Sequence, residues 1–158
     1  KTELNILKKV GSKIKLSKNS IHIKGPEKIK RIRNITTKEY PGFPTDLAPQ
    51  FMVLLCKANG TSSIKENIFQ GRFLHTMELQ RLGAKIIIKN RTAKIEGNTN
   101  FIAAEVMSSD LRASAALVLS GIVSKGNTIV TRVYHCDRGY ENFENKLKKI
   151  GVKIKRLK

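Results

Sequence analysis

The chain is short of several things that other classes of protein need. It has no Trp, and aromatic residues make up only 6% of its 158 positions. Two cysteines, Cys56 and Cys136, cannot build a disulfide framework and suit a reducing compartment. No stretch reaches the ~20 uncharged apolar residues of a membrane span, and the opening KTELNILKKV has no apolar signal-peptide core. Membrane spans, collagen-like repeats and disulfide-stapled secreted scaffolds are therefore excluded. His22, His75 and His135 have no zinc-ligand spacing with the cysteines, so no metal is expected; no cofactor is expected either. Neither G-x-x-x-x-G-K-[ST] nor G-x-G-x-x-G occurs. What remains is a chain with 40% hydrophobic residues, enough for the core of one domain or part of a larger one. It starts with Lys rather than Met, which raises the expectation of a piece of something longer.

Acidic residues are also scarce: 31 Lys and Arg against 12 Asp and Glu give a net charge of +19. Such a balance normally points to nucleic acid, but its distribution argues otherwise. Residues 1–38 carry 12 basic and 2 acidic side chains and residues 141–158 carry 7 and 2, while the long middle, 39–140, carries 12 and 8. Lysines outnumber arginines 22 to 9, whereas base reading and bidentate phosphate recognition favour Arg. With no RNA-recognition, KH or zinc-finger pattern, no specific nucleic-acid partner is expected, only weak nonspecific binding.

Three segments share one pattern: Leu7 to Ile14 (LKKVGSKI), Leu79 to Ile86 (LQRLGAKI) and Leu147 to Ile154 (LKKIGVKI). Each reads as the last turn of an amphipathic helix, a C-terminal glycine, then a strand alternating outward Lys with inward Ile. Glycine suits that place because the helix ends in a left-handed conformation that a Cβ disfavours. A second strand follows the first two, Ser20–Lys24 and Thr92–Glu96, closed by Gly25 and Gly97. Upstream, Thr45-Asp46-Leu47 and Ser109-Asp110-Leu111 occupy N-cap positions ahead of the apolar segments Phe51–Cys56 and Ala113–Val123. The second of these has no charged residue and is expected to be buried on all sides. Each leads through Gly60 or Gly126 to a strand, Ser62–Glu66 or Thr128–Val133, and then to Arg72 or Arg138 at the head of the amphipathic helix. The unit thus reads βαβαββ. Residues 1–29 look like the tail of a truncated unit, and 30–98 and 99–158 are two near-complete ones, all within one domain. Mixed sheets around central helices are expected, with a plain two-layer sandwich as the alternative.

Candidate chemistry gathers at equivalent places in these units. Asp46 ends a stiff turn, Tyr40-Pro41-Gly42-Phe43-Pro44-Thr45, that sets its carboxylate at a helix mouth; a simple helix cap is the plainer reading. Asp110 reads as a cap, with Arg112 two residues on. An Arg in the first turn opposes the macrodipole unless an anion is there as well. Arg72, Arg112 and Arg138 all stand at helix entrances, where planar forks suit a carboxylate or phosphate. Three at related places point to an anionic ligand. His22 reads as solvent-facing in its strand. His135, Cys136 and Asp137 are adjacent only along the chain, because strand neighbours point to opposite faces.

Four strings carry a resemblance: YPGFPTD (Tyr40 to Asp46), FQGRF (Phe69 to Phe73), SDLRASAALVL (Ser109 to Leu119) and YHCDRGYE (Tyr134 to Glu141). In this order and spacing they resemble the C-terminal part of the UDP-N-acetylglucosamine enolpyruvyl transferases (1-carboxyvinyltransferases), within the superfamily of 5-enolpyruvylshikimate 3-phosphate (EPSP) synthase. The resemblance implies an α/β fold, an inside-out barrel of βαβαββ units, here incomplete. It implies the first committed step of peptidoglycan synthesis in the bacterial cytoplasm. There the enolpyruvyl group of phosphoenolpyruvate passes to the 3-hydroxyl of UDP-N-acetylglucosamine by addition and elimination, releasing phosphate without a metal. Carried over by position, Asp46 resembles the carboxylate that takes the sugar hydroxyl's proton. Arg112 and Arg138 resemble the arginines on phosphoenolpyruvate, with Arg72 a third, and Ile68 matches a backbone contact to the nucleotide sugar. Asp110 is expected to orient Arg112 or cap its helix rather than react.

The chain departs from that pattern in places. Gln70-Gly71 stands where the family usually has Glu-Asn, which removes a charge and is expected to loosen the backbone ahead of Arg72. Pro49 falls in the first turn of its helix, where it is tolerable though not typical of the family, and Cys136 replaces an aliphatic residue. The family's N-terminal domain, with its phosphate-binding Lys, a further Arg and a mobile loop, has no counterpart here. Neither Cys56, in an apolar helix, nor Cys136, at a strand end, is expected to stand in for that loop. Two readings follow: the C-terminal portion of a transferase, inactive alone, or a noncatalytic remnant or basic binding module.

Overall fold

A computed structural model describes residues 1–157. The chain opens with α1 (Thr2–Lys9) and the hairpin β1 (Lys13–Leu16) and β2 (Ile21–Lys24). Next come β3 (Ile35–Thr36), a one-turn 3-10 segment (Thr45–Leu47), α2 (Ala48–Cys56), β4 (Ser62–Lys65), α3 (His75–Arg81), β5 (Lys85–Lys89) and β6 (Thr92–Glu96). The rest is β7 (Glu105–Met107), α4 (Leu111–Ile122), β8 (Ile129–Thr131), α5 (Tyr134–Asp137) and α6 (Phe143–Lys149). In the middle of the chain β3 runs parallel to β4, and β6 lies antiparallel between β4 and β5, giving the order β3-β4-β6-β5. This is a βαβαββ arrangement. β7 and β8 form a second parallel pair around α4.

Two of the helices are inside. α2 and α4 pack on each other, and Met52, Leu55, Cys56, Ala116 and Leu117 have no exposed surface. The sheet adds Ile64, Ala93 and Ile95 beneath α2. Each fully buried Leu or Ile contributes roughly 1.5–3 kcal/mol, so the helix pair holds the sheets from within.

The three glycine-terminated helices end alike. Gly11, Gly83 and Gly151 have φ of +108°, +94° and +92°. Each donates to the carbonyl three residues back, and the next residue donates to Leu7, Leu79 or Leu147 at 2.9, 3.0 and 3.1 Å. This is the Schellman closure that left-handed glycine permits. Gly11 and Gly83 are 72 residues apart, and the same offset recurs in tertiary bonds: Lys30 N to Val10 O (2.9 Å) matches Ile102 N to Leu82 O (3.0 Å). Gly97 is required by a close approach rather than by φ. A Cβ there would stand 1.9 Å from the carbonyl oxygen of Ala58.

Several expectations need correction. The strand expected after Gly151 does not form; residues 152–157 have no ladder partner, whereas β1 and β5 each pair with a following strand. The inward faces of β1 and β2 are only partly inward, with Leu16, Ile21 and Ile23 about half exposed at 61%, 55% and 48%. α4 is buried through Val118 but surfaces at Ile122. Residues 134–137 turn into α5, so Cys136 lies in a short helix and Arg138 at its C-terminal cap, not at a strand end. Strand pairing ends at Thr131, and the next residue, Arg132, has φ +55°, which breaks the extended run. Pro49 sits in the first turn of α2, where its missing N–H has no intrahelical partner to lose.

Candidate active site

The turn bearing Asp46 is anchored from behind. Phe43 is buried and meets Phe51 of α2 edge-on, with ring centroids 5.0 Å apart. Gly42 passes so close to Lys38 that a Cβ would stand 2.4 Å from Lys38 Cβ. The chain then enters the 3-10 turn. Asp46 is not a cap, since neither that turn nor α2 has a side-chain cap bond. Its carboxylate faces outward with 60% of its side chain exposed, and Oδ1 accepts from Arg112 Nε and from Arg72 Nη1, the latter at 3.1 Å. The Arg112 hydrogen bond first, and the charges of both arginines with it, hold the Asp46 carboxyl below the usual carboxylate range against a partial burial that raises it.

Arg72 comes from the loop between β4 and α3. Its guanidinium lies over the Phe69 ring, 4.2 Å from the centroid, a cation–π contact that fixes the fork. Gly71 has φ +72° with nothing within 4 Å of a Cβ. Left-handed backbone is open to Asn as well as Gly, so this loop conformation is available to either residue. Gln70 is exposed beside it.

Arg112 stands in the first turn of α4. Asp110 caps that helix, Oδ1 accepting from the backbone N–H groups of Arg112 (2.8 Å) and Ala113 (3.1 Å). Burial raises the Asp110 carboxyl, but those amides and Ser109 outweigh it and the group stays below its ordinary value. Asp110 therefore positions Arg112 through the main chain. Arg138 is exposed and makes no ion pair among the described residues. It flanks Gly139, whose missing Cβ would stand 2.8 Å from Leu111 Cδ2, so the turn after α5 lies against the head of α4. Asp46, Arg72 and Arg112 are thus brought into contact, whereas neither Arg138 nor Ile68 bonds to any of the three. Ile68 is half-buried, and its N–H is committed to Glu66 at 2.7 Å.

Four residues were missed. Glu66 is 2% exposed and accepts four hydrogen bonds. Gln50, with its amide nitrogen on the carbonyls of Asp46 (3.1 Å) and Leu47 (3.2 Å), accepts from the Tyr140 hydroxyl at 3.1 Å. That links the two loops across 90 residues, a pairing no local pattern signals. His75, the first residue of α3, is buried, and its Nε2 has no partner. Burial pushes the imidazole down to about 4, despite the Asp110 charge and the Arg72 carbonyl. Burial likewise pushes the Cys56 thiol up to about 12 and the Cys136 thiol up to about 11, which leaves neither as a nucleophile. An apolar cavity lined by Val118, Ile129, Cys136 and Phe143 includes none of the arginines around Asp46. No group of three or more His, Cys, Asp or Glu among the described residues could hold a metal.

The architecture is that of the enolpyruvyl transferases. The fold superposes on the enolpyruvyl transferase NikO from Streptomyces tendae with a TM-score of 0.89 at 24% identity, covering 98% of this chain and 36% of that one. The chain belongs to the EPSP synthase (3-phosphoshikimate 1-carboxyvinyltransferase) family, whose family model matches residues 1–147. Among curated relatives, the Pelagibacter ubique protein named UDP-N-acetylglucosamine 1-carboxyvinyltransferase is 62% identical over 99% of this chain and 37% of its own length. The protein of that name from Endomicrobium trichonymphae is 51% identical over 94% of this chain and 35% of its own length. The chain therefore spans just over a third of the relatives it matches. No helix among the described residues is long and apolar enough to cross a membrane.

Proposed function

We propose that these residues serve as the C-terminal part of a UDP-N-acetylglucosamine 1-carboxyvinyltransferase, with the tail of a truncated repeat unit at 1–29 and repeat units at 30–98 and 99–158. The reaction moves the enolpyruvyl group of phosphoenolpyruvate to the 3-hydroxyl of UDP-N-acetylglucosamine with release of phosphate. The setting is the bacterial cytoplasm, at the start of peptidoglycan synthesis, and hence the maintenance of cell shape and division. The observation that carries this reading is one carboxylate, Asp46, held by two arginines from two different helix entrances. The 62% identity to a relative of that name supports this member of the family over its sister activity.

In this arrangement Arg72, Arg112 and Arg138 bind the carboxylate and phosphate of phosphoenolpyruvate. Bidentate forks fix a multiply negative reactant and offset charge on the departing phosphate. As the arginines turn to that anion, Asp46 loses the contacts that depress its proton affinity. It is then able to accept the proton of the sugar hydroxyl while the new C–O bond forms. Addition gives a tetrahedral intermediate, and elimination of phosphate completes the transfer. The Ile68 backbone meets the nucleotide sugar in this reading, with its own N–H already committed to Glu66.

The test is phosphate release by the completed enzyme, meaning residues 1–158 joined to the N-terminal part found in the relatives. Release from phosphoenolpyruvate that depends on UDP-N-acetylglucosamine is expected. Release that depends on shikimate 3-phosphate instead would move the chain to the sister activity and overturn the proposal.

A further inference from the structure

Among the described residues Glu66 is the one buried carboxylate beside the site, and none of the described ion pairs involves it. It is held by hydrogen bonds alone. Oε1 accepts from Thr37 Oγ1 (2.7 Å) and from the backbone N–H groups of Ile68 (2.7 Å) and Phe69 (3.1 Å), and Oε2 accepts from Thr45 Oγ1 (2.6 Å). Thr37 Oγ1 accepts in turn from the Asn67 N–H at 2.8 Å. Three successive amides of the 67–69 turn are thereby satisfied by one Glu–Thr pair. A buried charge without a counter-ion survives only where such donors replace its water. Burial raises the Glu66 carboxyl, yet the Thr45, Thr37, Phe69 and Ile68 donors together bring it below the ordinary value.

The partners are placed to some purpose. Thr45 immediately precedes Asp46. Ile68 is the nucleotide-sugar contact of the proposed function, and the Phe69 ring underlies the Arg72 guanidinium. One carboxylate therefore joins, through its two oxygens, the turn that aims Asp46 and the loop that aims Arg72. Thr37 ties both to β4, whose Lys65 carbonyl accepts from the Thr37 N–H at 2.9 Å.

We propose that Glu66 is the positioning residue of this site, setting the separation between Asp46 and Arg72 by bridging their loops. The role rests on the transferase reading above for its kinetic consequences but not for its geometry. Thr45→Val cuts only the bridge to Asp46 and keeps a β-branched side chain of equal size. Glu66→Leu removes the bridge altogether. Glu66→Gln keeps an acceptor for Ile68 and Phe69 and presents its amide to Thr45 Oγ1, which accepts as readily as it donates.

The experiment combines steady-state kinetics with backbone amide exchange on the completed enzyme. Thr45→Val is expected to lower kcat at least tenfold with its thermal midpoint within about 3 °C of the parent. Glu66→Leu is expected to lower kcat more, raise KM for UDP-N-acetylglucosamine at least fivefold and lose exchange protection at 67–69. Glu66→Gln should recover most of both losses. A Thr45→Val enzyme with parental kcat would reduce Glu66 to a structural group and overturn the proposal. So would persistent protection of residues 67–69 in Glu66→Leu. If the parent enzyme itself transfers nothing, the transferase reading fails, and the exchange pattern alone decides for or against the bridge.

Discussion

Asp46 is an acid with two cations on one oxygen, and that fixes what its removal should do. In the proposed role of hydroxyl-proton acceptor it would work only once the arginines had moved to the substrate anion, so on that reading the arginines and the acid form one unit. Arg112→Lys keeps the charge but loses the planar fork. It is expected to raise KM for phosphoenolpyruvate about tenfold in the completed enzyme, read from initial rates; an unchanged KM would remove Arg112 from the anion site. His75 gives a second expectation at this scale. Its imidazole is held neutral, down at about 4, against an unfolded value near 6.5. Between those values the unfolded chain binds the extra proton, so stability falls as pH drops from about 6.5 toward 4 and levels off below. Above that window His75 contributes no slope. The loss is on the order of 3 kcal/mol for a shift of this size, and His75→Leu should flatten it, as thermal midpoints across pH 4–7 would reveal. An identical slope in the variant would mean that another group titrates there.

The elements show what a sequence can and cannot announce. The glycine-ended helices at Gly11, Gly83 and Gly151 were legible because a helix period, a glycine and a strand period follow one another locally. Asp110 was legible as a cap for the same reason. Asp110→Ala should cost about 1 kcal/mol, the usual loss for an N-cap, visible as a lowered thermal midpoint; no change would mean the amides of Arg112 and Ala113 find other acceptors. The strand after Gly151 carries the same local signal yet stays unpaired, since a strand exists only with a partner. Gly97 closes β6 as expected, but its reason is tertiary: the Ala58 carbonyl fills the place of its Cβ. Gly97→Ala is therefore expected to destabilise by about 1–3 kcal/mol, the range for overpacking, whereas Gly71→Asn, at an open left-handed position, should be near neutral. Equal effects would contradict the close approach at Gly97. Glu66 could not be found in this way. Its donors Thr37 and Thr45 lie 29 and 21 residues upstream, and one Glu at a strand end looks like any solvated charge.

For the molecule as a whole, the basic balance and the function are separable. The +19 charge belongs mainly to the two ends of the chain, while the cationic groups that face Asp46 are three-dimensional neighbours drawn from 72 and 112. The family was legible in four strings, and the fold in the repeat. The contact between Asp46 and its arginines was not, because the partners lie 26 and 66 residues away along the chain. The chain spans only 37% of its Pelagibacter relative, and half a clamp on a multiply charged reactant should not suffice for turnover. Residues 1–158 alone are accordingly expected to release no phosphate from phosphoenolpyruvate and UDP-N-acetylglucosamine. Measurable release would show that these arginines complete the site unaided.

The most direct measurement is single-turnover phosphate release by the completed enzyme with Asp46→Ala, both substrates saturating. A drop of about 10²-fold or more is expected, the scale for losing a positioned base, with phosphoenolpyruvate still bound by the arginines. A near-parental rate would contradict the central role of Asp46.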